Sequence, residues 1–281
     1  MSQSLNLHDR VRRLLRRARR DPTLDGAAAL QVYAPVAHAC AATHRGSVRP
    51  QNQDRVHVAA DGRMLVVADG MGGHRAGEVA SGLAMEVLLE HVAAAGLDAG
   101  TPGTDVLLEA FHAANDQVLQ ASYERLECRG MGTTLIAALV LGDDLHVCHV
   151  GDVRGYVLPA GGGLDQLTED HSVVGHLVRA GKLTPAQAMI HPQRNEILRA
   201  VGVDASIEPD LASRPLLPGD RVLLCSDGLW SVVSDAEITR ALRADGPLPA
   251  IAERLIALAN AAGGPDNVSV AIHVHAEPSL R

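Results

Sequence analysis

Five apolar runs of strand length constrain this chain most: Met64 to Ala68, Thr134 to Leu141, Leu145 to Val150, Arg221 to Cys225 and Val268 to Val274. The last places Val268, Val270, Ile272 and Val274 at alternate positions, the period of a strand. Helical text lies between the runs. Val79, Leu83, Val87 and Leu88 share one face of a predicted helix closed by Gly96, and Leu107, Phe111, Ala114 and Val118 share a face of another that follows Thr104. Ser234-x-x-Glu237 and Thr184-x-x-Gln187 have the capping-box form, the second with Pro185 at the first helical position. Ile251, Leu255, Leu258 and Ala262 give a final helix, stopped by Gly263-Gly264. Strands that come in groups, without strict alternation with helices, predict layered sheets with outer helices rather than a doubly wound parallel sheet.

With 2% aromatic residues, the core is expected to be built from Ala, Val, Leu and Ile, and 47% hydrophobic residues over 281 positions suffice for a large one. A net charge of -8 argues against a general nucleic-acid binder. That charge is uneven. Residues 1–30 carry seven Arg and three Asp, net +4, which leaves -12 for the remainder. This segment reads as a basic N-terminal arm: Leu5, Leu7, Val11, Leu14 and Leu15 suit a short amphipathic helix that Pro22 and Gly26 end, and a solvated extension is expected. Residues 31–278 read as the folded domain. Gln31, Pro35 and His38 interrupt the one stretch that imitates an export signal, and no run reaches the roughly 18 apolar residues of a membrane span. Cys40, Cys128, Cys148 and Cys225 lack metal-like or redox-like spacing, which predicts buried free thiols in a reducing, cytoplasmic setting.

Acidic residues recur at strand ends. LVVADG ends at Asp69-Gly70, LHVCHVGD at Asp152 and RVLLCSDG at Asp227-Gly228, while Asp266-Asn267 opens the last strand. One Asp-Gly is an ordinary turn. Four such ends can bring carboxylates to one rim of a sheet, where they repel unless a cation holds them ionised. An all-oxygen set favours magnesium or manganese. Gly70 leaves room for close backbone approach. His146 and His149, three apart in a strand, should point to opposite faces, and His74 is the histidine nearest Asp69 in sequence.

Taken in order, GSVRPQNQD (46–54), VVADGMGGH (66–74), GMGTTL (130–135), HVGDVRGY (149–156), LTEDHS (167–172), HPQRNEILRAVG (191–202), LLCSDGLW (223–230) and GGPDNVSV (263–270) resemble the metal-dependent serine/threonine protein phosphatases of the 2C type, in their compact bacterial form. The resemblance implies an α+β fold, a four-layer α-β-β-α sandwich of two mainly antiparallel sheets flanked by helices. It implies that Asp69 bridges two Mn2+ or Mg2+ ions, that Gly70 lends a carbonyl, and that Asp227 and Asp266 complete the site. Asp152 would help hold a third ion, Arg49 would bind the substrate phosphate, and Gln53 and Asp54 would lie in the outer shell. The implied reaction is direct attack of a metal-bridging water on phosphoserine or phosphothreonine in a protein. Met71 stands where eukaryotic relatives have a His proposed as general acid, so water on the metals is expected to protonate the leaving group. Gln53 stands where many relatives have Glu. Residues 172–200 match the flap over the cleft. The implied partners are phosphorylated proteins and a cognate serine/threonine kinase, with no nucleic acid, and the chain is expected to be a monomer. Two other readings compete: a silent relative that sequesters phosphoproteins, and a domain carried by its basic arm to an acidic partner or membrane surface.

Overall fold

The computed structural model describes residues 6–20, 30–73, 76–97 and 101–276, with 17–20 described by backbone alone. The strands are β1 (Gln31–Val36), β2 (Ala39–His44), β3 (Arg55–Val58), β4 (Met64–Ala68), β5 (Gly70–Met71), β6 (Gly132–Thr133), β7 (Leu135–Leu141), β8 (Asp144–Val150), β9 (Arg154–Leu158), β10 (Asp165–Gln166), β11 (Asp210–Pro215), β12 (Arg221–Cys225) and β13 (Val268–Val274). The helices are α1 (Leu7–Arg20), α2 (Ala76–Ala95), α3 (Gly103–Glu124), α4 (Val173–Arg179), α5 (Pro185–Met189), α6 (Asp227–Trp230), α7 (Asp235–Leu242) and α8 (Leu248–Ala261). One sheet runs β1-β2-β13-β12-β9-β10 and a second β11-β8-β7-β4-β3, both antiparallel throughout, with β5-β6 as a separate ribbon.

Why the strand runs are apolar without a polar alternate follows from the layers. Leu65 and Val67 of β4 face the other sheet with Ile136, Ala138 and Val140 of β7, while Met64, Val66 and Ala68 face α2 and α3 with Leu135, Ala137 and Leu139. In the first sheet Val222, Leu224, Ala39, Ala41 and Ala271 point inward, and Leu223, Cys225, Cys40, Ala42, Val268, Val270 and Ile272 meet α6, α7 and α8. Successive side chains point to opposite faces, and here both faces are dry. The result is the α-β-β-α sandwich implied by the resemblance. Both capping boxes form, and Gly96 takes φ 66° at the end of α2, a left-handed conformation that favours glycine. All four cysteines are buried and free. No helix among the described residues is long and apolar enough to cross a membrane.

Residues 7–16 depart from the solvated extension expected of the arm. Val11 is fully buried, and Leu14 and Leu15 join the cluster between α2 and α3. The fit depends on Gly82, where an added Cβ would lie 3.0 Å from Leu14 Cδ2. Arg10 pairs with Glu90 at 2.6 Å, Arg13 with Glu86 at 2.7 Å, and Arg125 donates to the His8 carbonyl at 2.9 Å. The apolar stripe has a partner because α2 is apolar on its outer side as well as against the sheet. Leu5, Pro22 and Gly26 lie outside the described residues. Val11→Ala should cost about 1.5 kcal/mol of unfolding free energy, two carbons at ~0.8 kcal/mol each; an unchanged urea midpoint would mean that α1 contributes nothing to stability.

Candidate metal centre and active site

Three strand ends and one loop converge on a cluster of aspartates. Asp69 follows β4, Asp227 follows β12 at the start of α6, Asp266 precedes β13, and Asp152 follows β8. Asp54 precedes β3 and points into the same cluster, its Oδ2 accepting from Ser226 Oγ at 2.8 Å. Asp54 and Asp152 are buried; Asp69, Asp227 and Asp266 are half-buried at the rim.

The backbone around them is fixed by small hydroxyl and amide side chains. Thr133 Oγ1 and the Thr134 amide both donate to the Asp69 carbonyl, at 2.8 and 2.9 Å, and the Asp69 amide donates to Thr134 Oγ1 at 3.2 Å. Gly70 and Gly77 press β5 onto the start of α2, since a Cβ at Gly70 would lie 2.1 Å from the Gly77 carbonyl oxygen. Gly228 does the same between α6 and β13, where a Cβ would meet the Asn267 carbonyl oxygen at 1.8 Å. Asn267 ties down the loop that carries Arg49: its Oδ1 accepts from the Gln53 amide at 2.8 Å, and its Nδ2 donates to the carbonyls of Arg45 at 2.8 Å and Gln51 at 2.7 Å. Asn267→Ala would leave three backbone groups of that loop without partners, so it should cost about 1–3 kcal/mol. Thermal unfolding measures this, and a melting temperature equal to wild type would show that the loop is held elsewhere.

Electrostatics sets the cluster apart. Burial, and then the charges of Asp54, Asp227, Asp152 and Asp266, push the Asp69 carboxyl well above the usual carboxylate range. Burial, and then Asp152, Asp266 and Asp54, do the same to Asp227. Asp54 is pushed up to about 6, by burial more than hydrogen bonds from Ser269 and Ser226 hold it down. Asp152 is pushed up to about 7, by burial and then the neighbouring Asp170. Asp54 Oδ1 and Asp227 Oδ1 are buried with no hydrogen-bond partner. Closely packed carboxylates with orphaned oxygens fit an oxygen-ligated divalent cation, which would hold them ionised and satisfy those atoms.

Arg49 stands at the edge of the cluster, half exposed, and donates to Asp266 Oδ2 at 2.6 Å. Gln53 is close by through its backbone, its carbonyl accepting from Ser81 Oγ at 2.6 Å. His74 lies outside the described residues. His149 and His146 diverge as expected: His146 bonds Ser213 Oγ of the edge strand β11 at 3.0 Å, and His149 stacks on His171 with ring centroids 4.7 Å apart.

Behind Asp152 is an anchoring network that sequence reasoning missed. Trp230 Nε1 donates to the Asp152 carbonyl at 3.0 Å, and Arg154 lies over the Trp230 ring while gripping Asp170 with two bonds, at 2.9 and 2.7 Å. The Gly151 amide donates to His171 Nδ1 at 3.2 Å, and the His171 amide returns to the Gly151 carbonyl at 2.9 Å. That fixes the His171 tautomer, so Nε2 carries the proton facing Asp210 at 3.3 Å; burial and the adjacent His149 lower the ring to about 4. The Leu198 amide donates to the His171 carbonyl at 2.7 Å, and Ser172 pairs with Ile197 in an isolated bridge. The segment from 172 to 197 therefore leaves the sandwich and returns at one place. It holds α4, in which Val174 alone is buried, and α5, which buries nothing. Only LTEDHS, lacking any apolar period, signalled this anchor.

Residues 42–262 match the description of the family Protein phosphatase 2C. The serine/threonine protein phosphatase PstP of Mycobacterium tuberculosis is 46% identical over 238 residues, which cover 83% of this chain and 44% of PstP. This chain thus spans less than half the length of that relative. The serine/threonine phosphatase stp of Listeria monocytogenes is 40% identical over 238 residues, 83% of this chain and 94% of that protein. The crystal structure of the M. tuberculosis PstP/Ppp phosphatase superposes with a TM-score of 0.76 at 41% identity, covering 88% of this chain and 99% of that one. The catalytic domain of PstP in complex with two manganese ions superposes with a TM-score of 0.77 at 39% identity, covering 89% of this chain and all of that one. By sequence match and by architecture, this chain belongs to the protein phosphatase 2C family.

Proposed function

We propose that this chain is a metal-dependent phosphatase that hydrolyses phosphoserine and phosphothreonine in proteins and so reverses serine/threonine kinase signalling. The observation that carries this reading is the packed set of Asp54, Asp69, Asp152, Asp227 and Asp266, with buried unpartnered oxygens on Asp54 and Asp227. Asp69, Asp227, Asp266 and the Gly70 carbonyl would hold two Mn2+ or Mg2+ ions, as the manganese complex of PstP supports, and Asp152 would help hold a third. Bound there, such ions supply Lewis acidity, a nucleophilic water near neutral pH and neutralisation of the phosphoryl charge.

The chain's own residues do the rest. Arg49 offers two parallel N–H groups to the substrate phosphate, exchanging its bond with Asp266 for phosphate oxygens. Asp54 and Gln53 lie in the outer shell, Asp54 fixed by Ser226. Met71 carries no proton to give, so the histidine-type general acid of eukaryotic relatives has no counterpart at that position. The flap, residues 172–200, overhangs the cleft and takes part in substrate choice. Its partners are phosphorylated proteins, with a cognate kinase upstream. The protein acts as a monomer in the cytoplasm, a setting supported by four free buried thiols.

The test follows phosphate release from a phosphothreonine peptide with manganese, with magnesium and with excess chelator. Turnover that requires the ion is the expected result. Folded, metal-loaded protein that releases no phosphate from several peptides would overturn the reading.

A further inference from the structure

With three Tyr, one Phe and one Trp, this chain spends aromatic residues sparingly. Phe111 and Tyr156 are buried, and Trp230 sits half-buried beneath Arg154. Tyr123, by contrast, is 80% exposed at the end of α3, and three residues further on Leu126 is 83% exposed. The two border a groove of about 590 Å3 that is also lined by Arg125, Arg129, Met131 and Val203. Single exposed apolar residues are ordinary, but several around one groove mark an interaction surface. Tyr and Arg are also the side chains that most often anchor such surfaces.

The charge around the groove is opposite to that of the chain. Arg125 also lines a second cavity of about 290 Å3, together with Arg12 and Arg16 of α1. Arg125, its side chain 15% exposed and donating to the His8 carbonyl, lies between the two cavities, and exposed Arg12, Arg16 and Arg129 flank it against a single lining acid, Glu127, in a protein of net charge -8. Arg125 spans 3.8 Å to Glu127, and Arg12, Arg16 and Arg129 form no ion pair among the described residues. Docking α1 onto α2 brings Arg12 and Arg16 to this face.

The groove backs onto the catalytic loop. Its floor residue Met131 leads into β6, where Gly132 pairs with Met71 and Thr133 Oγ1 donates to the Asp69 carbonyl at 2.8 Å. Val203 packs on Gly132 so closely that a Cβ there would lie 2.8 Å from Val203 Cγ2. The front of the same loop is the aspartate cluster, which repels acidic substrate segments. A basic, apolar groove behind it gives such segments a place to bind and steers their approach.

We propose that the groove docks a segment of the protein substrate remote from its phosphorylated residue, one that carries a large apolar side chain flanked by Asp and Glu; this rests on the phosphatase reading. The apolar side chain enters between Tyr123 and Leu126. The acids meet Arg129, and a longer segment continues past Arg125 to Arg12 and Arg16.

The test compares kcat/KM of the full chain on three synthetic substrates: a phosphothreonine core peptide, the same core joined through Gly-Ser spacers of several lengths to Asp-Glu-Leu-Glu-Phe-Glu, and the same extension with lysines for the acids. The acidic extension should raise kcat/KM about tenfold through KM, the effect of one well-placed anchor. Arg129→Glu and Leu126→Asp should each remove that gain while leaving core-peptide and p-nitrophenyl phosphate turnover unchanged. Equal rates on the acidic and lysine extensions, or a gain that survives both substitutions, would overturn the proposal. If the chain hydrolyses none of these, the phosphatase reading fails, and fluorescence anisotropy of the labelled acidic hexapeptide still decides the groove. Binding that both variants abolish supports it, and equal or absent binding in wild type and variants overturns it.

Discussion

Asparagine in place of Asp227 should lower phosphate release from a phosphothreonine peptide by on the order of a hundredfold, about 2.7 kcal/mol of transition-state stabilisation. Asn preserves the shape of the side chain, and the local backbone does not depend on the carboxylate: the Asp227 carbonyl accepts from the Ser231 amide at 3.0 Å through the main chain. What is lost is a charge that draws cations into the cluster. A folding defect is separable, because in chelator the variant should melt no lower than wild type. One of the carboxylates that burial and mutual repulsion push up in pKa has been neutralised. Wild-type turnover in the variant would remove Asp227 from the chemistry.

The second large effect is on stability, and its sign depends on the ion. In chelator Asp54 and Asp152 should take stability away as pH rises from about 4 to about 7, so that wild type loses ground over this window relative to a variant carrying both Asp54→Asn and Asp152→Asn. Asp54 and Asp152 hold their protons in the folded chain up to about 6 and about 7, against 3.8 for an ordinary Asp. Across that window these two carboxyls bind more protons in the folded state than in the unfolded one, so their contribution to stability falls with rising pH, while buried His171 and His273, lowered to about 4, bind fewer and act in the opposite direction. Manganese at a hundred times its dissociation constant should restore about 2.7 kcal/mol. Its gain should grow with pH, since the ion displaces protons from the same carboxylates. Thermal unfolding between pH 4 and pH 8, with chelator and with manganese, measures both arms. A profile in chelator that Asp54→Asn and Asp152→Asn together leave unchanged in shape would mean that burial and mutual repulsion do not raise these carboxyls in the folded state.

The parts of the fold legible in the sequence are those whose signal is local. The β4, β7, β8, β12 and β13 runs are apolar because both of their faces are covered, and the capping boxes at Ser234 and Thr184 act over three residues. β2 was not legible. Ala39 to His44 has none of the branched bulk that favours strands except Thr43, and it is a strand because Cys40 and Ala42 register against Ile272 and Val270 across a sheet whose small inner residues let two layers approach. The docking of α1 was hidden for a related reason: an amphipathic stripe announces a buried face but not the groove at Gly82 that receives it. At the candidate site the aspartates stood out because four acids ended or opened strands. Asn267, Ser226 and Thr133 did not, since a side chain that serves neighbouring backbone has no periodicity and no charge to betray it.

The bridge between Ser172 and Ile197 has a further consequence. A loop whose ends already touch changes length cheaply, at about 0.6 kcal/mol of closure entropy for each doubling. The excursion carrying α4 and α5 is thus a detachable cassette: it can be exchanged, enlarged or trimmed while Asp69, Asp227 and Asp266, which lie outside it, stay in register. Where that excursion takes part in substrate choice as proposed, recognition can be changed without touching the chemistry, and the junction for grafting one onto another lies at a single pair of residues.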